Sequence, residues 1–237
     1  MYNGLLVKVD KRFSKRYQFT AAYAFQHQYG YSGIFDYNNF SRSWAPQGGH
    51  HVLNISGVVD MPWGFQLGLI SSTTSVGPIT TSVGGVDLNG SGAGTTTPLP
   101  GIPLNGINNG VSSSQLLAAI NNWNTTLAGT PDARGKSIAF IQAPAANAFF
   151  GRTGESQDIR LTKSFTFKER YRFSILGEVF NVLNYANKGG ASYNLDLRSS
   201  ATAAAVPSVF GIPTQRSAQT FGSGGPRAFQ FGGRFSF

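Results

Sequence analysis

The sequence has no cysteine, which excludes thiol catalysis, zinc–thiolate sites and disulfide stapling. It has little charge. Asp, Glu, Lys and Arg make up 12% of its 237 residues, against roughly 25% in a typical soluble protein. No apolar run approaches the roughly 18 residues of a membrane-spanning helix. That excludes helical spans and leaves untouched strand-built spans, which need only about ten residues each. The opening MYNGLLVKVDKRF is too charged, and its apolar run too short, for a secretory signal peptide. Acidic residues number 10 against 19 Lys and Arg, a formal net charge of +9. Such an excess can mark a nucleic-acid binder. Here the basic residues are dispersed over strand ends and turns (Lys11, Arg12, Lys15, Arg16, Lys168, Arg170, Arg172), with no basic run longer than two, so no nucleic-acid partner is expected.

What the sequence does have is glycine (30), phenylalanine (19) and strict alternation. Seven segments alternate with period two, the pattern of a strand with two different faces. The first, Asn3 to Lys11, sets Leu5, Val7 and Val9 against Leu6, Lys8 and Asp10. In the second, Tyr17 to Gln28, Phe19, Ala21, Tyr23 and Phe25 oppose Gln18, Thr20, Ala22, Ala24 and Gln26. The third and fourth, His50 to Asp60 and Gly64 to Ser72, carry Leu53, Ile55, Val59, Phe65, Leu67 and Leu69 on one side. The fifth runs from Asp158 to Phe165 and the sixth from Arg170 to Val182, with Tyr171, Phe173, Ile175 and Val179 opposite Arg172, Ser174, Leu176 and Glu178. The seventh closes the sequence with Phe229, Phe231, Phe235 and Phe237 against Gln230, Arg234 and Ser236. The region 73–157 breaks the pattern. It is rich in Gly, Ser, Thr and Pro, holds a helical spacing over Ser113 to Leu127 (Leu116, Leu117, Ile120, Trp123, Leu127), and has a short β segment near Ile138 to Gln142.

Period-two segments alone do not separate a membrane barrel from a soluble sandwich. The connections are sharper, because they alternate short and long: 12–16, 29–49, 61–63, 73–157, 166–169 and 183–226. Outer-membrane barrels show this alternation, with tight periplasmic turns and long extracellular loops. The fold class predicted is therefore all-β, an antiparallel transmembrane β-barrel segment over residues 1–237, with 73–157 and 183–226 as long extracellular loops. An odd strand count and the need to pair both sheet edges in lipid predict that this is the C-terminal fragment of a larger barrel. Two alternatives stand beside it. One is a complete small outer-membrane barrel of eight strands, with the extra strand near Ile138 to Gln142. The other is a soluble Gly-rich β-sandwich binding module.

The stretch DIRLTKSFTFKERYRFSILGEVFNVLNYAN (158–187) resembles the penultimate hairpin of TonB-dependent outer-membrane receptors. Its resemblance is closest to the Oar-like group, which carries a carboxypeptidase-regulatory-like domain at the amino end. In that pattern a strand ends in Glu-x-Phe-Asn-x-x-Asn, here Glu178, Phe180, Asn181 and Asn184. The terminal RAFQFGGRFSF resembles the family's closing strand, with a final aromatic of the kind read by the barrel-assembly machinery. GLLVKVDKRFSKRYQFTAAYAFQH (4–27) and HHVLNISGVVDMPWGF (50–65) resemble earlier pieces of the same barrel. The resemblance implies energy-driven uptake or export of an unidentified solute by an intact receptor with a plug domain and a TonB-contacting segment. Neither is in this sequence, so TonB is expected as a partner only through a missing N-terminal region.

Within this frame Phe229, Phe231, Phe235 and Phe237 are expected to face outer-membrane lipid and to carry the assembly signal. Tyr17, Trp63 and Tyr171 border the short turns as an aromatic girdle. Trp44, Tyr29, Tyr31, Tyr37 and Phe35 sit in the second connection, where packing between loops outweighs ligand contact. Arg160, Arg172, Glu178 and Arg234 lie opposite the apolar faces and are expected to look into the lumen, with Glu178 placed to pair with an arginine of the fifth or seventh strand. Lys163 falls on the apolar face, late enough in its strand to snorkel to the rim. His50 and His51 point to opposite faces and His27 is remote in sequence, so no metal site is expected. Asp36, Asp60, Asp87, Asp132, Glu155 and Asp196 are scattered, no nucleophile has a base in a recognisable context, and no phosphate loop is present. Neither catalytic residues nor a cofactor are expected.

Overall fold

The computed structural model describes the chain except at residues 32–38, 93, 95–96, 146–147, 149–153, 169, 196, 199–208 and 217–223. Seven long strands carry it: β1 (Tyr2–Ser14), β2 (Tyr17–Tyr31), β3 (His51–Met61), β4 (Phe65–Thr74), β5 (Gly154–Phe167), β6 (Tyr171–Phe180) and β7 (Ala228–Ser236). Each pairs antiparallel with the next, giving one meander from β1 to β7. The register brings the seven alternating patterns into phase. The row through Tyr17 continues as Val59, Leu67, Leu161, Gly177 and Phe231, and every member belongs to the predicted apolar face. That row reaches β7 well before its end. Successive strands are thus staggered, as tilted barrel strands require.

Tight turns join the hairpins at one rim. Lys15 (φ 49°) and Arg16 (φ 73°) link β1 to β2 with both residues left-handed, the two-residue geometry that follows strand twist. Trp63 (φ 60°) and Gly64 (φ 73°) turn β3 into β4, and a Cβ on Gly64 would stand 3.0 Å from the carbonyl oxygen of Ser164. Two strands clearly outrun their sequence-predicted limits: β2 continues to Tyr31, and β5 begins at Gly154 rather than Asp158. β6 instead stops at Phe180 rather than Val182 because Asn181 adopts φ 48°. A short strand, Trp44–Gln47, pairs with Gln28 to Tyr31 and prolongs the path of β3, so part of the connection 29–49 is wall and not loop.

At the opposite rim the long connections fold together into a cap. Helix α1 (Ser113–Thr126) starts at a reciprocal cap between Ser112 and Gln115, and buries Leu116, Ile120 and Trp123 while leaving Leu117 outside. Those side chains pack with Val83, Leu99, Ile107 and Ile141, and with Leu195 and Phe210 from the last connection, into one apolar core. Two-residue strands lace the connections: Ser82–Val83 pairs parallel with Asn194–Leu195, and Phe140–Ile141 pairs with Leu197–Arg198. The segment near Ile138 to Gln142 therefore contributes to the cap and not to the seven-stranded sheet. Asn105 Nδ2 donates to the Pro46 carbonyl at 2.6 Å, tying the cap to the top of the wall.

The wall has no comparable core. Ile175 and Phe231 are 48% and 82% exposed, whereas Trp123 is 1% exposed. A sandwich needs a second sheet against the apolar face, and among the described residues none lies there.

Candidate functional site: the concave polar face and its two rims

Alternation sends the polar side chain of every wall strand to the face opposite Phe173 and Ile175, and that face is concave. Over it lies a cavity of about 830 Å³ whose lining runs from Lys8 and Asp10 on β1 to Arg160 on β5 and Glu178 on β6. A second, also about 830 Å³, extends toward the short-turn rim between Arg16, Asp60, Arg172 and Arg234. Cross-strand polar pairs cover the surface. Thr20 donates to Asp10 at 2.7 Å, Gln66 to Asp60 at 2.8 Å and Ser72 to Asn54 at 2.8 Å. Arg160 donates from both Nε and Nη2 to Glu178 Oε1 at 2.6 Å, the pairing expected for Glu178. Arg172 reaches Ser164 Oγ at 3.3 Å, and Arg234 lies beside it on β7. Such a surface holds water and ions and offers hydrogen bonds. Among the described residues no cluster suits a metal ion.

The short-turn rim is aromatic. Tyr171 stacks on Phe235 with centroids 6.1 Å apart, and Phe235 on Phe237 at 6.0 Å. Trp63 is 85% exposed on the β3–β4 turn, and Tyr17 borders the first turn. Lys163, the charge on the apolar face, donates to the Trp63 carbonyl and lies over Phe65 at 4.6 Å and Phe165 at 5.2 Å, so its ammonium ends at the rim.

The cap-side rim contains a knot for which sequence reasoning had named residues but no role. Asn181 is fully buried. Its Nδ2 donates to the carbonyls of Tyr185 (2.9 Å) and Gly225 (2.7 Å), its Oδ1 accepts from Tyr185 N (2.9 Å), and its own N–H donates to Asp158 Oδ1 (2.8 Å). Asn187, not singled out from the sequence, bonds Glu155 through both backbone groups and reaches the Gly224 carbonyl at 2.9 Å. Together they clamp the ends of β5 and β6 to the approach of β7. Asn184 (φ 54°) completes the turn by donating its N–H to the Asn181 carbonyl. A strand ending in Asn-x-x-Asn was the available signal; what it lacked was the partner at Gly225.

The histidines meet at the same rim. The His27 and His50 rings are 5.7 Å apart, His50 Nε2 contacts Asn109 Oδ1 at 3.3 Å, and His51 Nδ1 contacts the Tyr23 hydroxyl at 2.7 Å. Tyr31 packs edge-on against Trp44 at 5.1 Å, and Trp44 and Tyr29 line a cavity of about 440 Å³ against the cap segment 98–106. Tyr37, Phe35, Asp36 and Asp196 lie outside the described residues.

Two acids read as scattered come together inside the cap. The Asp87 N–H donates to Asp132 Oδ2 at 3.2 Å, and the Ala133 N–H returns to the Asp87 carbonyl. Burial alone would raise the Asp132 carboxyl. The Arg134 guanidinium at 2.6 Å and the N–H groups of Lys136, Asp87 and Arg134 outweigh it and hold the group well below the ordinary carboxylate range. Asp87 is likewise opposed by burial and lowered by N–H donors from Gly92 and Ser91. These acids organise loop backbone, and neither lines the cavities of the concave face.

No curated protein and no solved structure matches the chain. The sequence model of a family described as an outer membrane beta barrel domain matches residues 1–230, which takes in the cap and nearly all of the sheet. The meander, its in-phase polar and apolar faces and that match agree: the chain belongs to the outer-membrane β-barrel domain family, a non-catalytic class located in the outer membrane.

Proposed function

We propose that the seven strands are part of the wall of a transport barrel. The apolar face meets lipid, the concave polar face lines the passage, the short turns are periplasmic, and the cap formed by the long connections after β4 and β6 is extracellular. The observation that carries this reading is the wall's uncovered apolar face combined with two sheet edges that no described residue pairs. Six successive antiparallel pairings make β1 and β7 run in the same direction. Joining those two edges directly would create a parallel seam, whereas an antiparallel wall needs at least one further strand. This favours a larger barrel, and the Glu178-Phe180-Asn181-Asn184 pattern favours one of the TonB-dependent kind. TonB contact would then come from a plug-bearing region. The stack of Tyr171, Phe235 and Phe237 at the rim supports recognition of β7 by the barrel-assembly machinery.

A second reading, a complete small barrel, is favoured by the family match at the level of a barrel domain and by a strand number just below the eight of the smallest bacterial barrels. The absence of native cysteine makes the two separable. Val7→Cys is combined in turn with Phe229→Cys, Phe231→Cys and Gly233→Cys, and the protein is oxidised in outer-membrane fractions. An intramolecular disulfide from any pair identifies a wall closed on itself, since the Cα atoms must come within about 7 Å. Failure of every pair means that at least one further strand separates β1 from β7, which the larger barrel requires. Heat-modifiable migration of the protein tests the wall itself, and recovery as a soluble monomer without detergent overturns both readings.

A further inference from the structure

Three arginines line the cavity at the short-turn rim with no carboxylate paired to any of them among the described residues. Arg16 stands in the β1–β2 turn, held beside β3 by the Asp60 N–H donating to its carbonyl at 2.7 Å. Arg172 opens β6 and Arg234 nears the end of β7. Arg172 lies opposite Ser236 and Arg234 opposite Ser174, so the two are diagonal neighbours across one strand pair. Asp60 is the single carboxylate of this lining, and it accepts from Gln66; the fourth arginine there, Arg160, is paired with Glu178. Among the described residues no ion pair engages Arg16, Arg172 or Arg234, and the one side-chain partner of Arg172 is the Ser164 hydroxyl.

A lining that had only to stay wet would be served by the Ser, Thr and Gln that occupy the rest of this face. Unanswered like charges repel one another, and they lower the stability of the wall that holds them together. Guanidinium is also the group whose planar fork matches an oxyanion with two parallel hydrogen bonds. The volume of about 830 Å³ falls within the range of small-molecule sites. The cavity opens on the face opposite Phe173 and Ile175, away from the proposed lipid, so a free solute and not a lipid headgroup has access.

We infer that this vestibule, formed by Arg16, Arg172 and Arg234, binds small multivalent oxyanions of the phosphate or polycarboxylate class and makes the passage selective for them. The inference rests on the proposed reading of the concave face as the lining of a passage. Its test uses intact protein extracted from outer membranes in detergent, with inorganic pyrophosphate as the probe. Calorimetry should show binding that weakens about tenfold or more in the Arg172→Gln/Arg234→Gln double variant, the cost of losing charge-assisted hydrogen bonds. Binding should be unchanged in Lys136→Gln, which removes equal charge from the cap. On the unmodified protein, pyrophosphate should shield Arg16, Arg172 and Arg234, but not Arg42, from phenylglyoxal; this measurement needs no variant to fold. Shielding by sodium chloride at matched ionic strength, or displacement of pyrophosphate by phosphatidylglycerol micelles, would overturn the assignment. A heat-modifiable protein that binds no pyrophosphate removes the oxyanion site and leaves the barrel reading standing. A protein that is soluble without detergent removes both.

Discussion

Trp123 and Phe231 are both large apolar side chains in one chain, yet the first is sealed inside the cap and the second stands clear of the wall. The cap follows the rule for proteins in water: apolar groups converge, and the Trp123 indole N–H finds the Ala139 carbonyl at 3.0 Å. The wall inverts it. Its apolar side chains occupy one continuous exposed face, and its polar ones line a concavity. Leaving a Leu, Ile or Phe in water forfeits roughly 1.5–3 kcal/mol of the stabilisation that burial would bring. Seven strands that display such residues in register are built for a solvent other than water. The cap, with buried carboxylates held by backbone N–H groups, is built for water itself.

The comparison breaks first if cap and wall do not fail separately. Trp123→Ala empties the cap core and should cost about 3–5 kcal/mol there. Limited proteolysis should then cut within residues 75–145, while heat-modifiable migration of the wall persists. Simultaneous loss of both would make cap and wall one cooperative unit. The next effect is the wall's counterpart. Ile175→Arg places a charge midway along β6 on the apolar face, and should destabilise a lipid-embedded wall by about 2–4 kcal/mol. The same change at an exposed site in water costs about 0.5 kcal/mol or less. Denaturant titration in lipid vesicles distinguishes the two, and a change in the smaller range would remove lipid from the apolar face.

The same contrast explains what was legible in the sequence. Wall strands announce themselves because one solvent meets each face along their whole length, so Phe173, Ile175 and Val179 repeat without interruption. The helix α1 was legible for the same reason, through Leu116, Ile120 and Trp123 at helical spacing. The rest of the cap was not. Val83 and Leu195 share a core and a two-residue ladder, but no local period joins residues so far apart in the sequence. On the concave face, the pairing of Arg160 with Glu178 followed from strand order. The place of Arg16 in the same cavity lining as Arg234 did not, because a turn residue has no face until its turn geometry is known. The stop at Asn181 escaped because a strand pattern carries no record of a positive φ.

That stop supplies the third test, at the seam between the two regions. Asn181→Ala removes three side-chain hydrogen bonds from a fully buried site and leaves a left-handed backbone without its asparagine. The buried partners left unsatisfied should cost about 1–3 kcal/mol. Amide exchange at Tyr185 and along the cap-side ends of β6 and β7 should accelerate, with the short-turn ends unaffected. Asn181→Gly, which relieves the backbone but not the lost bonds, should recover a minor part of the loss. Full recovery would show that φ, and not the knot, is what the position requires.

The smallest effect concerns charge in the cap. Asp132 is held below its ordinary carboxylate range by Arg134 and by backbone donors that outweigh its burial. A carboxyl whose folded pKa is depressed stabilises the fold at any pH above its unfolded value of about 3.9, and that contribution is lost as pH falls below it toward the folded value. Asp87 is shifted in the same direction, by N–H donors of its own, so both carboxyls lose their contribution toward acid pH. Cap proteolysis should therefore be steady from neutral pH down to about 5 and rise below about 4. In Asp132→Asn that acid-dependent rise should flatten while the cap is more readily cut at neutral pH, because Asn keeps the shape but not the charge that Arg134 answers. If acid instead abolished the heat-modifiable band before it exposed the cap, the ionised pair would not be what holds the cap, and the division between a water-built cap and a lipid-built wall would lose its electrostatic half.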